Sequence, residues 1–226
     1  MKKLTSKLIA GLVVAAIIVS ATTYLATANE SKVVAIVVKA LGKAQVKQSS
    51  KWSNVGKGSR LYSGDEVQTK GDGYAAVMFL DDKSIVKVKP NSVLKIQGTY
   101  EGKSISKQMV MDVGELFVKV SRQKGSFQVV TPTSVASVKG TEFWVLEGTQ
   151  GTTVIGLEGL IDVLNKISNT TQPVSAGQTG KSGKDGEVTV TETKEEDIPD
   201  AGGLSEEIII KFQDSDGNEK EVRIKY

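Results

Sequence analysis

Beyond residue 28 the apolar positions fall into short runs, alternating or continuous, each bounded by Gly, Asn, Asp or Ser. That is the strand signature, because successive side chains of an extended chain point to opposite faces. The runs are 33–38 (VVAIVV), 43–48, 66–69, 74–80 (YAAVMFL), 84–89 (SIVKVK), 93–96, 107–113, 115–120, 126–130, 142–146, 152–157 and 160–165. No helical spacing at i, i+3, i+4 and i+7 is sustained among them. In 84–89, Val86 and Val88 share one face, while Lys87 and Lys89 take the other. In 93–96, Leu94 and Ile96 point inward and Lys95 outward. The run 74–80 has no polar residue on either face, which predicts a central strand covered on both sides.

Many short strands separated by regular turns predict an all-β fold: a compact twisted β-sandwich or a short β-solenoid-like domain. The organisation read from the chain is a domain over 29–180 and a charged, Gly-rich linker over 181–203. The linker carries one possible edge strand, EVTVTET. A C-terminal β-hairpin over 204–226 follows, with Ile208, Ile210 and Phe212 alternating on one arm and Val222, Ile224 and Tyr226 on the other. A lone hairpin is marginal in water, so this one is expected to dock on the main domain or on a partner.

The first 28 residues differ. Lys2, Lys3 and Lys7 precede the apolar stretch LIAGLVVAAIIVS (8–20), and Ala26-Thr27-Ala28 follows. Basic, apolar and small-residue regions in that order define an apolar targeting helix, cut after Ala28 as a secretory signal. The 22 uncharged residues 8–29 are also long enough to remain as an uncleaved inner-membrane anchor. Either way, the body is expected to be periplasmic or otherwise extracytoplasmic.

This segment changes the reading of charge. It holds three of the 29 basic residues and none of the 26 acidic ones, so the remainder is neutral overall. Residues 181–226 carry 13 acids and 7 bases, and residues 29–180 carry 13 acids and 19 bases. A basic body thus carries an acidic tail. With no net basic excess in the exported part, a nucleic-acid partner is not expected.

Histidine and cysteine are absent altogether. That removes imidazole and thiolate metal ligands, the commonest general base and the strongest side-chain nucleophile. The expectation is a protein that is not an enzyme and needs no cofactor or metal.

With the strands placed, the chain resembles the FecR-type periplasmic domain. The resemblance rests on GDEVQTKGDGYAAVMFLDDKSIVKVKPNSVLKI (64–96), GELFVKV (114–120), SFQVVTPTSVASVKGTEFWV (126–145), TTVIGLEGLIDV (152–163) and VSAGQ (174–178), over residues 57–178. It implies an all-β extracytoplasmic domain of the kind that forms the outer half of anti-sigma regulators. Those regulators also carry a cytoplasmic helical domain. Only seven residues precede the apolar run here, too few for a folded unit, so the fold is expected to carry over without the anti-sigma arm.

The most chemically suggestive stretch is TPTSVASVKGTEFWV (131–145). Thr131 and Pro132 are expected to end a strand, since proline lacks a ladder donor. Gly140 permits a bend that a Cβ would block. Phe143 then returns to the core with Val145, while Trp144 and Glu142 face away. Thr141 and the other hydroxyls satisfy bend amides, and Gly156 belongs to the same structural motif. A Ser–Lys pair would have to use Lys139. SAGQTGKS (175–182) lacks the first glycine and the helix of a phosphate loop. DSDGN (214–218) reads as a hairpin turn. Among carboxylates, Asp81 and Asp82 are expected to be solvated in a turn, with Glu142, Glu147, Glu158 and Asp162 scattered. Lys87, Lys89, Lys95, and further Lys119 and Lys124, could present an outward basic face to an anionic envelope polymer. The partner expected first is an envelope protein, engaged by strand addition through Ile208, Ile210 and Phe212 or through an exposed sheet edge.

Overall fold

The computed structural model describes residues 32–121, 125–200, 207–213 and 217–225. The targeting helix expected over 1–28 lies outside them. Nineteen strands follow one another: β1 (Val33–Leu41), β2 (Ala44–Gln48), β3 (Lys51–Asn54), β4 (Arg60–Tyr62), β5 (Glu66–Thr69), β6 (Tyr74–Phe79), β7 (Ile85–Val88), β8 (Val93–Glu101), β9 (Ser104–Lys119), β10 (Phe127–Val130), β11 (Ser134–Val138), β12 (Glu142–Gly148), β13 (Gly151–Glu158), β14 (Leu160–Asn165), β15 (Thr171–Ser175), β16 (Gln178–Gly183), β17 (Val188–Glu192), β18 (Glu207–Gln213) and β19 (Glu219–Lys225). The only helical turn among the described residues is a three-residue 3₁₀ turn at Glu195–Asp197. The described residues are all-β but for that turn, as their periodicity predicts.

Seventeen strands form one open, twisted sheet, and β18 pairs with β19 as a separate hairpin. The large sheet divides into two ladders. The first runs β4-β1-β6-β7-β9-β12-β13-β16-β17. The second runs β3-β2-β5-β8-β9-β10-β11-β14-β15. All pairings are antiparallel except β9 with β10. From β10 onward the chain lays hairpins alternately on the two ladders. Each addition therefore buries apolar surface against what is already there.

The ladders meet in one core. Val77, Phe79, Val86, Leu116, Phe143 and Val154 of the first pack with Val67, Leu94, Met109, Phe127, Ile161 and Val163 of the second. Phe79 and Phe127 touch edge to face across the gap, with ring centroids 6.1 Å apart. As expected, β6 is buried at every position. Its paired neighbours β1 and β7 flank it, and both of its faces are covered.

The strand β9 was expected as two, 107–113 and 115–120. It is a single strand of 16 residues that pairs with β8 and β10 through its first part and with β7 and β12 through its second. The passage occurs at Gly114, whose φ is +116°. A Cβ there would overlap Ser92, whose Oγ accepts the Glu115 amide at 2.9 Å.

Five strands were not expected: β3, β4, β11, β15 and β16. They are short and polar, or carry Pro173, Gly180 or Gly183. Neighbouring strands offer them a ladder, which outweighs weak intrinsic preference. The expected domain boundary at 180 falls inside β16, so the sheet continues to Glu192 and the linker read as 181–203 is largely strand at its start. The edge strand expected in EVTVTET is β17.

Gly114→Val tests the crossing. Left-handed backbone strain and overpacking each cost about 1–3 kcal/mol, so a loss of about 2–5 kcal/mol is expected in urea unfolding. A variant as stable as the parent would show that β9 does not need this conformation.

Candidate interaction surface

The hydroxyl-rich stretch closes one end of the core. Pro132 and Thr133 form the tip of the β10–β11 hairpin, where the Thr131 amide donates to the Ser134 carbonyl at 2.9 Å. The Ser134 amide donates to Thr131 Oγ1 at 2.9 Å. Thr131 Oγ1 lies 2.6 Å from Thr152 Oγ1 on β13, and Thr152 Oγ1 lies 2.6 Å from Glu147 Oε2. A hydroxyl has one proton. Thr152 gives its proton to the carboxylate and must therefore accept from Thr131. Thr133 Oγ1 also points at Glu147, at 3.5 Å, and Lys166 Nζ donates to the Thr131 carbonyl at 2.6 Å. Glu147 is thus a buried carboxylate held by hydroxyls, and those hydroxyls are structural donors. The stretch is not merely a bend, since it contains the whole of β11. Beyond it Gly140 turns with φ +100°, and Thr141 is buried with its carbonyl accepting the Val120 amide at 2.8 Å; its hydroxyl, expected to satisfy a bend amide, instead has no hydrogen-bond partner among the described residues. Phe143 joins the core while Trp144 faces the other way. Gly156 lies against the Ser175 carbonyl, where a Cβ would collide. Lys139 is exposed. SAGQTGKS occupies the end of β15, a turn and most of β16, with no helix start.

A second polar lock corrects the expectation that Asp81 and Asp82 are solvated. Lys107, on β9, is fully buried. Its Nζ donates to Asp81 Oδ2 at 2.8 Å, to Asp82 Oδ2 at 3.0 Å and to the Ile105 carbonyl at 3.1 Å. It also sits 5.3 Å from the Phe79 ring centroid. Asp81 Oδ2 accepts the Ile105 amide as well, and Asp82 accepts both the amide and the hydroxyl of Ser84. Burial pushes the Asp81 carboxyl up. The hydrogen bond and charge of Lys107, with the Ile105 amide, outweigh burial and hold it below its ordinary value of 3.8.

The outer face of the first ladder departs furthest from expectation. Cross-strand register places Lys39, Ala76, Lys87, Phe117, Trp144 and Ile155 in one row over β1, β6, β7, β9, β12 and β13. Lys87 does point away from Val86 and Val88. It is nevertheless only 3% exposed, with its ammonium 4.7 Å from the Phe117 ring centroid. Phe117 packs edge to face on Trp144 at 5.2 Å. Lys89 Nζ lies 5.8 Å from the Trp144 ring and donates to the Asp200 carbonyl at 2.8 Å. Lys119 pairs with Glu142 at 2.9 Å. Lys95 belongs to the second ladder, opposite Glu66. The lysines therefore do not share one free basic face. Burial is the main reason that the Lys87 ammonium is held below its ordinary 10.5. Glu142 partly counters this, and Lys119, Lys89 and Lys39 reinforce it. Val38, Tyr74, Met78 and Ile85 are buried on the same outer side. Lys124 and the side chains of Ile208 and Ile210 lie outside the described residues, while Phe212 is 45% exposed.

Of the remaining carboxylates, Glu142 and Glu158 are cross-strand partners on β12 and β13, while Asp162 lies on β14. Glu158 and Asp162 are exposed. A shallow cleft of about 350 Å³ runs beside Gln128, Ser137, Lys139, Thr141 and Asp162, and a smaller one of about 200 Å³ lies over Lys119, Thr141, Glu142 and Glu158. Neither presents a hydroxyl activated by a base. No group of three or more acidic side chains able to hold a metal ion occurs among the described residues.

Residues 65–162 match the family model described as FecR protein. That span contains Asp81, Asp82, Lys107 and the whole of the 131–145 stretch. Two solved structures of a candidate anti-sigma factor from Parabacteroides distasonis are similar at 20% identity, with TM-scores of 0.48 and 0.49 over 57% of this chain. The chain spans 60% of the length of those proteins. No curated protein matches it.

Three measurements test these contacts. Lys107→Met strands two buried carboxylates and should cost about 3–5 kcal/mol. Thr152→Val should cost about 1.5–3 kcal/mol by removing a donor to buried Glu147. For pH, the depressed Asp81 contributes stability above 3.8 that is lost as pH falls through its lower folded-state value. The depressed Lys87 acts at the other end: stability should rise as pH climbs through its folded-state value towards 10.5, and Lys87→Met should flatten that limb of a chemical-denaturation profile.

Proposed function

We propose that this chain is a non-catalytic binding module of the cell envelope, in which a FecR-type β-domain receives a protein partner at an open sheet edge. The match of residues 65–162 to the FecR family carries the reading. The two facing ladders are read as a twisted sandwich that grows in the manner of a short solenoid. The ionisable groups brought within reach of one another serve structural contacts, which supports a binding role over a catalytic one.

The edges differ in how well they are protected. The strand β4 has three residues, β15 carries Pro173 and β3 carries Lys51. The strand β17 reads VTVTE, with four residues of high strand preference and no proline or lysine. Among the described residues it pairs only with β16, and Thr189 and Thr191 are exposed. It is the edge best suited to accept an added strand.

A second reading, favoured by the family match, makes the chain a sensory or regulatory component of transmembrane signalling. It requires residues 8–28 to stay in the inner membrane and a separate partner to cross it.

A photo-crosslinking residue at Thr191 of the exported protein should give a discrete adduct with an envelope protein, and Thr191→Pro should abolish it. No adduct from Thr189, Thr191 or Trp52 overturns edge docking. Turnover of a substrate by the purified protein overturns the non-catalytic reading. Recovery of the body as a freely soluble form beginning near Asn29 removes the signalling alternative.

A further inference from the structure

The outer face of the first ladder requires a cover. Trp144 is 1% exposed, and Phe117, Ile155, Lys87, Met78 and Ile85 are buried beside it. Every strand of the second ladder lies on the opposite, inner side, because the side chains that meet it are Val86, Leu116, Val118, Phe143 and Val145. The cover must therefore come from chain outside the two ladders. We propose that it is the C-terminal hairpin of the same chain, laid across β7, β9, β12 and β13 with its apolar face on Phe117 and Trp144.

Four observations point to it. The chain is led onto this face, since Lys89 holds the Asp200 carbonyl at 2.8 Å while its ammonium sits 5.8 Å from Trp144. Six residues separate Asp200 from Glu207, a reach of up to about 20 Å. The hairpin has the right shape. Seven residues per arm span about 23 Å, and four strands spaced at about 4.8 Å occupy less than that.

The register makes the hairpin two-faced. Ile208 opposes Ile224, Ile210 opposes Val222 and Phe212 opposes Lys220. The alternate positions pair Glu207 with Lys225, Ile209 with Arg223 and Lys211 with Glu221. Val222, of the apolar set, is half-buried, whereas Glu219 and Glu221, of the charged set, are exposed. The burial of Val222 favours the apolar face as the covered one. Phe212, near the turn, stays half-exposed at the rim. Charge agrees as well: the segment 181–226 has an excess of six acidic residues, and the face beneath holds Lys39, Lys87, Lys89 and Lys119. This cover is independent of what docks at β17.

Two experiments on the full chain decide it. With Trp52→Phe, Trp144 is the only tryptophan. Ile208→Lys with Ile210→Lys should then red-shift its emission and raise acrylamide quenching several-fold with the far-ultraviolet β signature retained, while Ile208→Val with Ile210→Val should leave it shielded. Separately, a photo-crosslinker at Ile210 of the otherwise native chain should form intramolecular adducts to peptides holding Phe117 or Trp144. Adducts confined to other strands, or a Trp144 still shielded in the folded double-lysine variant, overturn the proposal. If the double-lysine variant loses its β signature, the crosslinks alone decide.

Discussion

Hydrogen bonding along β9 holds the two ladders together. Its first part is a rung of the second ladder, between β8 and β10. Its second part is a rung of the first, between β7 and β12. A strand can change ladders only if its backbone swerves without losing pairing. Gly114 provides the swerve, and Ser92 satisfies the amide of Glu115 at that point. Strands before and after β9 then face each other without a long connection, and Phe79 can reach Phe127.

Two polar locks stand near the ends of this apolar interior. At one, Lys107 binds the Asp81–Asp82 turn that follows β6 to β9. At the other, hydroxyls from the β10–β11 hairpin and β13 surround Glu147. Buried polar groups of this kind add little net stability over apolar packing, but they are costly when half-satisfied. They penalise any register in which Lys107 or Glu147 loses its partners, and so favour one arrangement of a sheet whose central strands β6 and β7 are buried on both faces.

That two-sided apolarity also frames the functional reading. A ladder with one wet face would leave its outer side for solvent. The first ladder instead carries aromatics and a buried lysine there, which calls for a cover, and it leaves β17 as an open edge. Under the proposals above, the edge accepts backbone pairing from a partner and the face is covered by apolar packing within the chain. The Lys107 ion pairs and the hydroxyl chain around Glu147 serve the fold, while the Lys119–Glu142 pair lies on the outer face itself.

Local pattern alone determined the all-β class, the two-sided burial of β6, the positions of β5 and β12, and the opposed directions of Phe143 and Trp144. Each of these depends on period-two alternation or on unbroken apolarity within a few residues. The same reasoning identified the role of the Thr131–Pro132 turn and of Gly140. It did not reveal β11, β15 or β16, whose small, polar, Pro- or Gly-containing segments become strands only because a neighbour presents free amides and carbonyls. Nor could it reveal that Lys87 is buried or that Asp81 and Asp82 hold Lys107, because those partners lie about 25 to 30 residues apart in the chain. Which face a side chain takes is a local matter of backbone geometry. Whether that face meets water depends on what the rest of the chain brings over it, and only the tertiary structure settles that.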